Sequence, residues 1–116
     1  MIRKMNDRRV EQKPAPFQGE GEITVRHLLN GDKELYDKGR VFCHSTLQPG
    51  CGLGYHVHTN EMEAYYIYSG HGQFNDNGTI SEVTAGDVTL TQSGEGHALK
   101  NTGTEPLEFI ALILYK

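Results

Sequence analysis

GYHVHTNEMEAYYIYSG, residues 54–70, decides how the chain is read. Two histidines stand one residue apart, two glutamates follow, and a run of aromatic and β-branched side chains closes at Ser69-Gly70. Successive side chains of a β-strand point to opposite faces, so a strand through this stretch sets His56 and His58 on one side and turns Val57 away. The link Thr59-Asn60-Glu61-Met62 is short and polar. Folded as a hairpin turn, it returns Glu63 beside the two imidazoles, with Tyr65 and Ile67 on the same parity.

Outward from this stretch the chain is punctuated by turn signals. Glycine is abundant at 14 residues and proline sparse at 4, and no window sustains the i, i+3, i+4 apolar spacing of a helix. Strand candidates are ITVRHLL (23–29), RVFCHSTL (40–47), YHVH (55–58), EAYYIY (63–68), GQFND (72–76), TISEV (79–83), DVTLT (87–91), HALKN (97–101) and LEFIALILY (107–115). Turns such as Asn30-Gly31-Asp32, Pro49-Gly50 and Asn77-Gly78 separate them at intervals of roughly 8 to 12 residues, which predicts an all-β sandwich or barrel. Residues 1–22 are polar and interrupted by Pro14 and Pro16, so they are expected as an arm or edge strand, with the β-domain spanning 23–116. The segment FIALILY is apolar on both faces, which places it centrally between two layers or against another subunit.

At 116 residues the chain has the length of one domain. Its 11 basic residues are scattered among 15 acidic ones for a net charge of −4, which argues against nucleic acid. The leader is also too short and too proline-broken for a helix-turn-helix. No apolar run reaches the length of a membrane span, and MIRKMNDRRV lacks the apolar core of a secretory signal. A cytoplasmic location is therefore expected, with Cys43 and Cys51 as free thiols.

A further histidine, His97 in GEGHALKN, opens a later strand behind glycines that permit close backbone approach. His56, His58, Glu63 and His97 together make a coherent set of metal ligands. Two histidines alternating on a strand also suit an exposed polar face, and periodicity alone leaves both readings open.

The stretch Gly50-x5-His56-x-His58-x4-Glu63-x6-Gly70 resembles the first signature of the cupin superfamily at every fixed position, and Gly86, Gly94, His97 and Asn101 match the second. Gln92 departs, standing where that family usually has proline, which puts the rigidity of one turn in question. The resemblance covers residues 50–101. It implies a small antiparallel β-barrel or jelly roll (a double-stranded β-helix) with one divalent metal on His56, His58, Glu63 and His97. The pattern looks closest to small single-domain cupins of the oxalate-decarboxylase-like type.

With no thiolate among the ligands, manganese, iron, nickel, cobalt and zinc all suit the set. Three neutral imidazoles and one carboxylate around a divalent ion leave a charge of about +1, which attracts a small anion. The expected function is a metal-dependent enzyme acting on a small carboxylate or oxygenated substrate by decarboxylation, isomerisation or dioxygen addition. The alternative is a non-catalytic module that binds a small anion or sugar. Tyr65 is a catalytic candidate on the inward parity, with packing as its other reading. His44 is a second, as acid or base, provided the face it shares with Phe42 and Thr46 points inward; otherwise it is a surface residue. Glu61 is expected as a solvated turn charge, Cys51 as a small turn residue, and His27 and His71 at the surface. No arginine and glutamate pair dedicated to decarboxylating oxalate is evident. A homodimer is expected from the two-sided C-terminal strand and the loose leader.

Overall fold

Alternating burial along most of the strands accompanies two facing sheets in the computed structural model, which describes all 116 residues. The strands are β1 (Val10–Pro14), β2 (Glu22–Leu29), β3 (Gly39–Leu47), β4 (Gly52–Val57) and β5 (Glu61–Ser69). They continue with β6 (His71–Asp76), β7 (Thr79–Thr84), β8 (Val88–Thr91), β9 (Gly96–Lys100) and β10 (Leu107–Tyr115). One sheet runs β1-β2-β3-β10-β5-β8 and the other β4-β9-β6-β7, with every neighbouring pair antiparallel. No ladder joins the sheets, so the barrel is a jelly roll of two faced layers.

β10 explains the two-sided apolar run. It lies between β3 and β5, with Leu107, Phe109, Ala111 and Ile113 buried toward the core and Ile110, Leu112 and Leu114 half-buried on the other face. Core side chains Leu47, Ile67, Leu99 and Phe109 are almost wholly removed from water. The β6–β7 hairpin closes on Asn77-Gly78 with φ of 49° and 103°, the left-handed pair that matches the twist of antiparallel strands. No helix is long and apolar enough to cross a membrane.

Three local expectations are corrected. The turn at Asn30-Gly31-Asp32 leads into one helical turn, α1 (Gly31–Glu34), entered through Gly31 at φ 68°. Gln92 does not loosen its turn: its N–H, which proline would lack, donates to Glu95 Oε1 at 2.8 Å, and Glu95 N–H returns to the Gln92 carbonyl at 3.0 Å. His27 is buried, because β2 turns Ile23, Val25 and His27 inward together. Glu11 of β1 meets its Nε2 at 2.6 Å, which offsets the cost of burying an imidazole. His71 is exposed, as expected.

Asn101 clamps the β9–β10 connection. Its buried amide donates to the carbonyls of Leu47 and Glu105, both at 2.8 Å, and its side-chain oxygen accepts from Gly103 N–H at 2.9 Å. Asn101→Ala leaves these groups without partners, and urea denaturation is expected to show a loss of about 2–4 kcal/mol.

Candidate metal centre

Four side chains from three segments meet inside the jelly roll. β4 carries His56 and ends at Val57, so His58 follows on the same side at the strand's exit. β9 sets His97 directly across from His56 in the β4–β9 register. β5, returning after Thr59-Asn60, brings Glu63 in from the larger sheet. The ligand atoms of the four residues all lie within 4.8 Å of one another, and His58, Glu63 and His97 are buried.

Nitrogen chemistry decides what this cluster can hold. His56 Nδ1 lies 2.8 Å from the Gly54 carbonyl, which can only accept, so Nδ1 carries the proton and Nε2 is bare. His58 Nδ1 faces Glu61 Oε1 at 2.8 Å, and His97 Nδ1 faces the buried Thr91 hydroxyl at 2.8 Å. With all three Nδ1 atoms so engaged, the Nε2 atoms converge: His97 lies 3.1 Å from His56 and 3.2 Å from His58. Glu63 Oε1 completes the group at 3.0 Å from His58 and 3.1 Å from His97. Two ligand atoms about 2.1 Å from a shared ion and at right angles stand about 3 Å apart. A cation among these atoms would take the place of the protons they otherwise share, so the residues fit a divalent metal.

The same contacts govern protonation. Glu63 raises the pKa of His58 above its ordinary value, against burial and with help from Glu61. Burial opposes ionisation of Glu63, yet His58 and His97 overcome it and hold its pKa below the usual carboxylate range. Burial lowers the pKa of His56, which favours the neutral imidazole that a metal requires.

Tyr65 lies one inward position beyond Glu63, buried, stacked on the His97 ring at 5.0 Å and tilted against Phe109 at 4.7 Å. Burial and the nearby Glu63 charge keep its phenol protonated. His44 is elsewhere. β3 turns Cys43 and Ser45 inward, so His44 points to the outer face, where Arg8, Tyr68 and Glu108 surround it at 3.4, 2.5 and 3.1 Å. From there it cannot reach the cavity.

Sequence reasoning missed three contributors. Glu61 is largely buried, not a solvated turn charge, and links Arg40 to His58. Thr91 orients His97, and only the inward parity of DVTLT pointed to it. Phe17, from the leader, lies flat on the His56 ring at 3.7 Å and 11°. The roof it belongs to is strained, with Ala15, Phe17 and Gln18 at φ of 42°, 51° and 62°. It seats on β4 because Gly54 has no Cβ to collide with the Phe17 carbonyl. Beneath it a hollow of about 380 Å³ runs from His56, His58 and Glu63 to the inner face of the larger sheet.

An all-β jelly roll with three imidazoles and one carboxylate converging inside it defines a class of metal-site barrel. The chain belongs to the cupin family, whose domain model matches residues 43–113. An oxalate-binding protein of Thermotoga maritima is 45% identical over 96 residues, covering 83% of this chain and 78% of that one. A crystal structure from Thermotoga maritima, described as a predicted oxalate decarboxylase, superposes with a TM-score of 0.95 at 39% identity over 100% of both chains. A Klebsiella pneumoniae protein with a double-stranded β-helix domain shares the fold at a TM-score of 0.68 and 23% identity, over 78% of this chain and 75% of that one.

Arg40 grips Glu61 through two hydrogen bonds of 2.8 Å and, aided by His58, lowers its pKa from 4.5 to about 2. A carboxylate whose pKa falls on folding stabilises the fold above its ordinary pKa and loses that contribution as pH drops through the folded value. Glu61→Gln is therefore expected to be less stable than wild type at neutral pH, with the gap closing between pH 4.5 and about 2 in urea denaturation at stepped pH. A gap constant across that window would deny the Glu61 charge any role.

Proposed function

We propose that this cupin holds one divalent transition metal on His56, His58, Glu63 and His97 and binds a small carboxylate there. The observation that carries this reading is the convergence of three imidazole nitrogens and one carboxylate oxygen, all within 4.8 Å of one another, in a buried space. The ligand set suits manganese, iron, nickel, cobalt or zinc. A divalent ion held there supplies positive charge and coordination positions for carboxylate oxygens. The chain's own groups support the same ligand. Arg40 and Lys13 stand at the edge of the hollow, Phe17 shields the His56 side from water, and Tyr65 offers a protonated hydroxyl within the wall. The oxalate-binding name of the Thermotoga relative agrees with this reading.

The position of Tyr65 favours a second, catalytic reading. A buried phenol beside Glu63 can hold a proton next to a bound acid and release it to a carbon that gains negative charge. Decarboxylation and isomerisation both need such a donor, and Tyr65→Phe would then abolish turnover while retaining carboxylate binding. The barrel proper is assigned to residues 23–116 and the arm to 1–22. The free thiols of Cys43 and Cys51 support a reducing, cytoplasmic setting.

Metal analysis of the purified protein tests the ligand assignment. Wild type is expected to retain about one equivalent, and His97→Ala to bind at least tenfold more weakly. Equal content in both would overturn the assignment. Calorimetry should then show oxalate binding to the metal-loaded protein and none to the chelator-treated one.

The outer face of the larger sheet supports a homodimer. Tyr66, Tyr68, Val88 and Leu90 are exposed there beside half-buried Ile110 and Leu112, an apolar patch that a second copy would cover. Sedimentation at micromolar concentration is expected to give twice the 13.0 kDa chain mass, and Val88→Glu to shift it toward the monomer.

A further inference from the structure

The hollow beside the four ligands is larger and more apolar than oxalate requires. At about 380 Å³ it falls in the range of clefts that enclose drug-sized ligands. A six-atom dianion takes the room of about three waters, roughly 90 Å³. The surplus space lies over the inner face of the larger sheet, and the strand registers say what lines it. Glu63 stands opposite Ile113, and Ile113 opposite Val41. The neighbouring row runs from Tyr65 through Ala111 and Cys43 to His27. With strands about 4.8 Å apart, the floor from Glu63 to Val41 is about 10 Å across. Ile23, Val25 and Leu53 continue the apolar lining.

Beyond Tyr65 and the exposed Lys13, the polar side chains along this floor already have partners. His27 holds Glu11 at 2.6 Å, Ser45 Oγ faces Cys43 Sγ at 3.4 Å, and Arg40 is engaged in two hydrogen bonds by Glu61. A sugar acid placed here would lose water from its hydroxyls without replacement, whereas an apolar body would lose only unfavourable hydration.

We propose that the natural ligand is a carboxylate with a branched aliphatic or aromatic body. Its carboxylate end lies at the four-ligand centre and its body fills the floor between Ile113, Val41 and Val25. This deepens the carboxylate reading above and rests on it.

Calorimetric titration of the metal-loaded protein with oxalate, pyruvate, 4-methyl-2-oxopentanoate, phenylpyruvate and gluconate tests it. Each buried methylene strengthens binding about fourfold. The expected result is that 4-methyl-2-oxopentanoate binds at least tenfold more tightly than pyruvate, with gluconate weaker than either. Val41→Phe, which fills the floor, is expected to reduce the tenfold ratio to below about threefold. The wild-type series is decisive even where that variant does not fold. Oxalate and pyruvate binding as tightly as the bulkier acids, or gluconate binding best, overturns the inference and leaves carboxylate binding standing. No binding by any acid overturns both.

Discussion

Three imidazole nitrogens and one carboxylate oxygen are held within 4.8 Å of one another in a buried space, and the rest of the structure is arranged around that constraint. Such a group is electrostatically unfavourable by itself and must be imposed by its surroundings. Three outer contacts impose it: Gly54 on His56, Glu61 on His58 and Thr91 on His97. Each engages an Nδ1 and thereby aims an Nε2. Orientation comes mainly from a different element in each case, so the centre depends on the packing of both sheets and not on one loop.

The two sheets contribute different chemistry. β4 and β9 of the smaller sheet carry the histidines, locked by the His56–His97 register, while β5 of the larger sheet supplies Glu63 and Tyr65. Beyond Glu63 the larger sheet offers mostly apolar side chains, so one cavity has a polar wall and an apolar wall. The leader closes the space with a roof of left-handed residues. Conformations that each cost about 1–2 kcal/mol persist there because the Phe17 ring stacks on His56, Ala15 N–H donates to the Gly21 carbonyl, and the Glu20 carbonyl accepts from Gly52 N–H of β4.

Burial of titratable groups separates those that serve the centre from those that do not. Glu61 and Tyr65 have perturbed pKa values and touch or adjoin the ligands. His44 sits among Arg8, Tyr68 and Glu108 on the outer face of the sheet, with β3 between it and the hollow. His27 is drawn inward by the parity of β2 and is held by Glu11, so it builds the far end of the cavity and not the centre.

Local order within strands was legible in the sequence. Parity put His56 with His58 and Glu63 with Tyr65, turn residues marked the strand breaks, and the spacing shared with cupins joined His97 to the set. Those properties depend only on the two-residue repeat of a strand and on backbone conformations that few residues adopt. Which face of β3 and β2 turns inward depends on what packs against them, and the sequence carries no absolute sign for that choice. The roof of Phe17 over His56, the Arg40–Glu61 pair and the apolar floor from Glu63 out to Val41 join residues 20 or more positions apart. Only the strand order of the larger sheet and the seating of the leader on β4 bring such groups within contact, so only the tertiary structure could assign them.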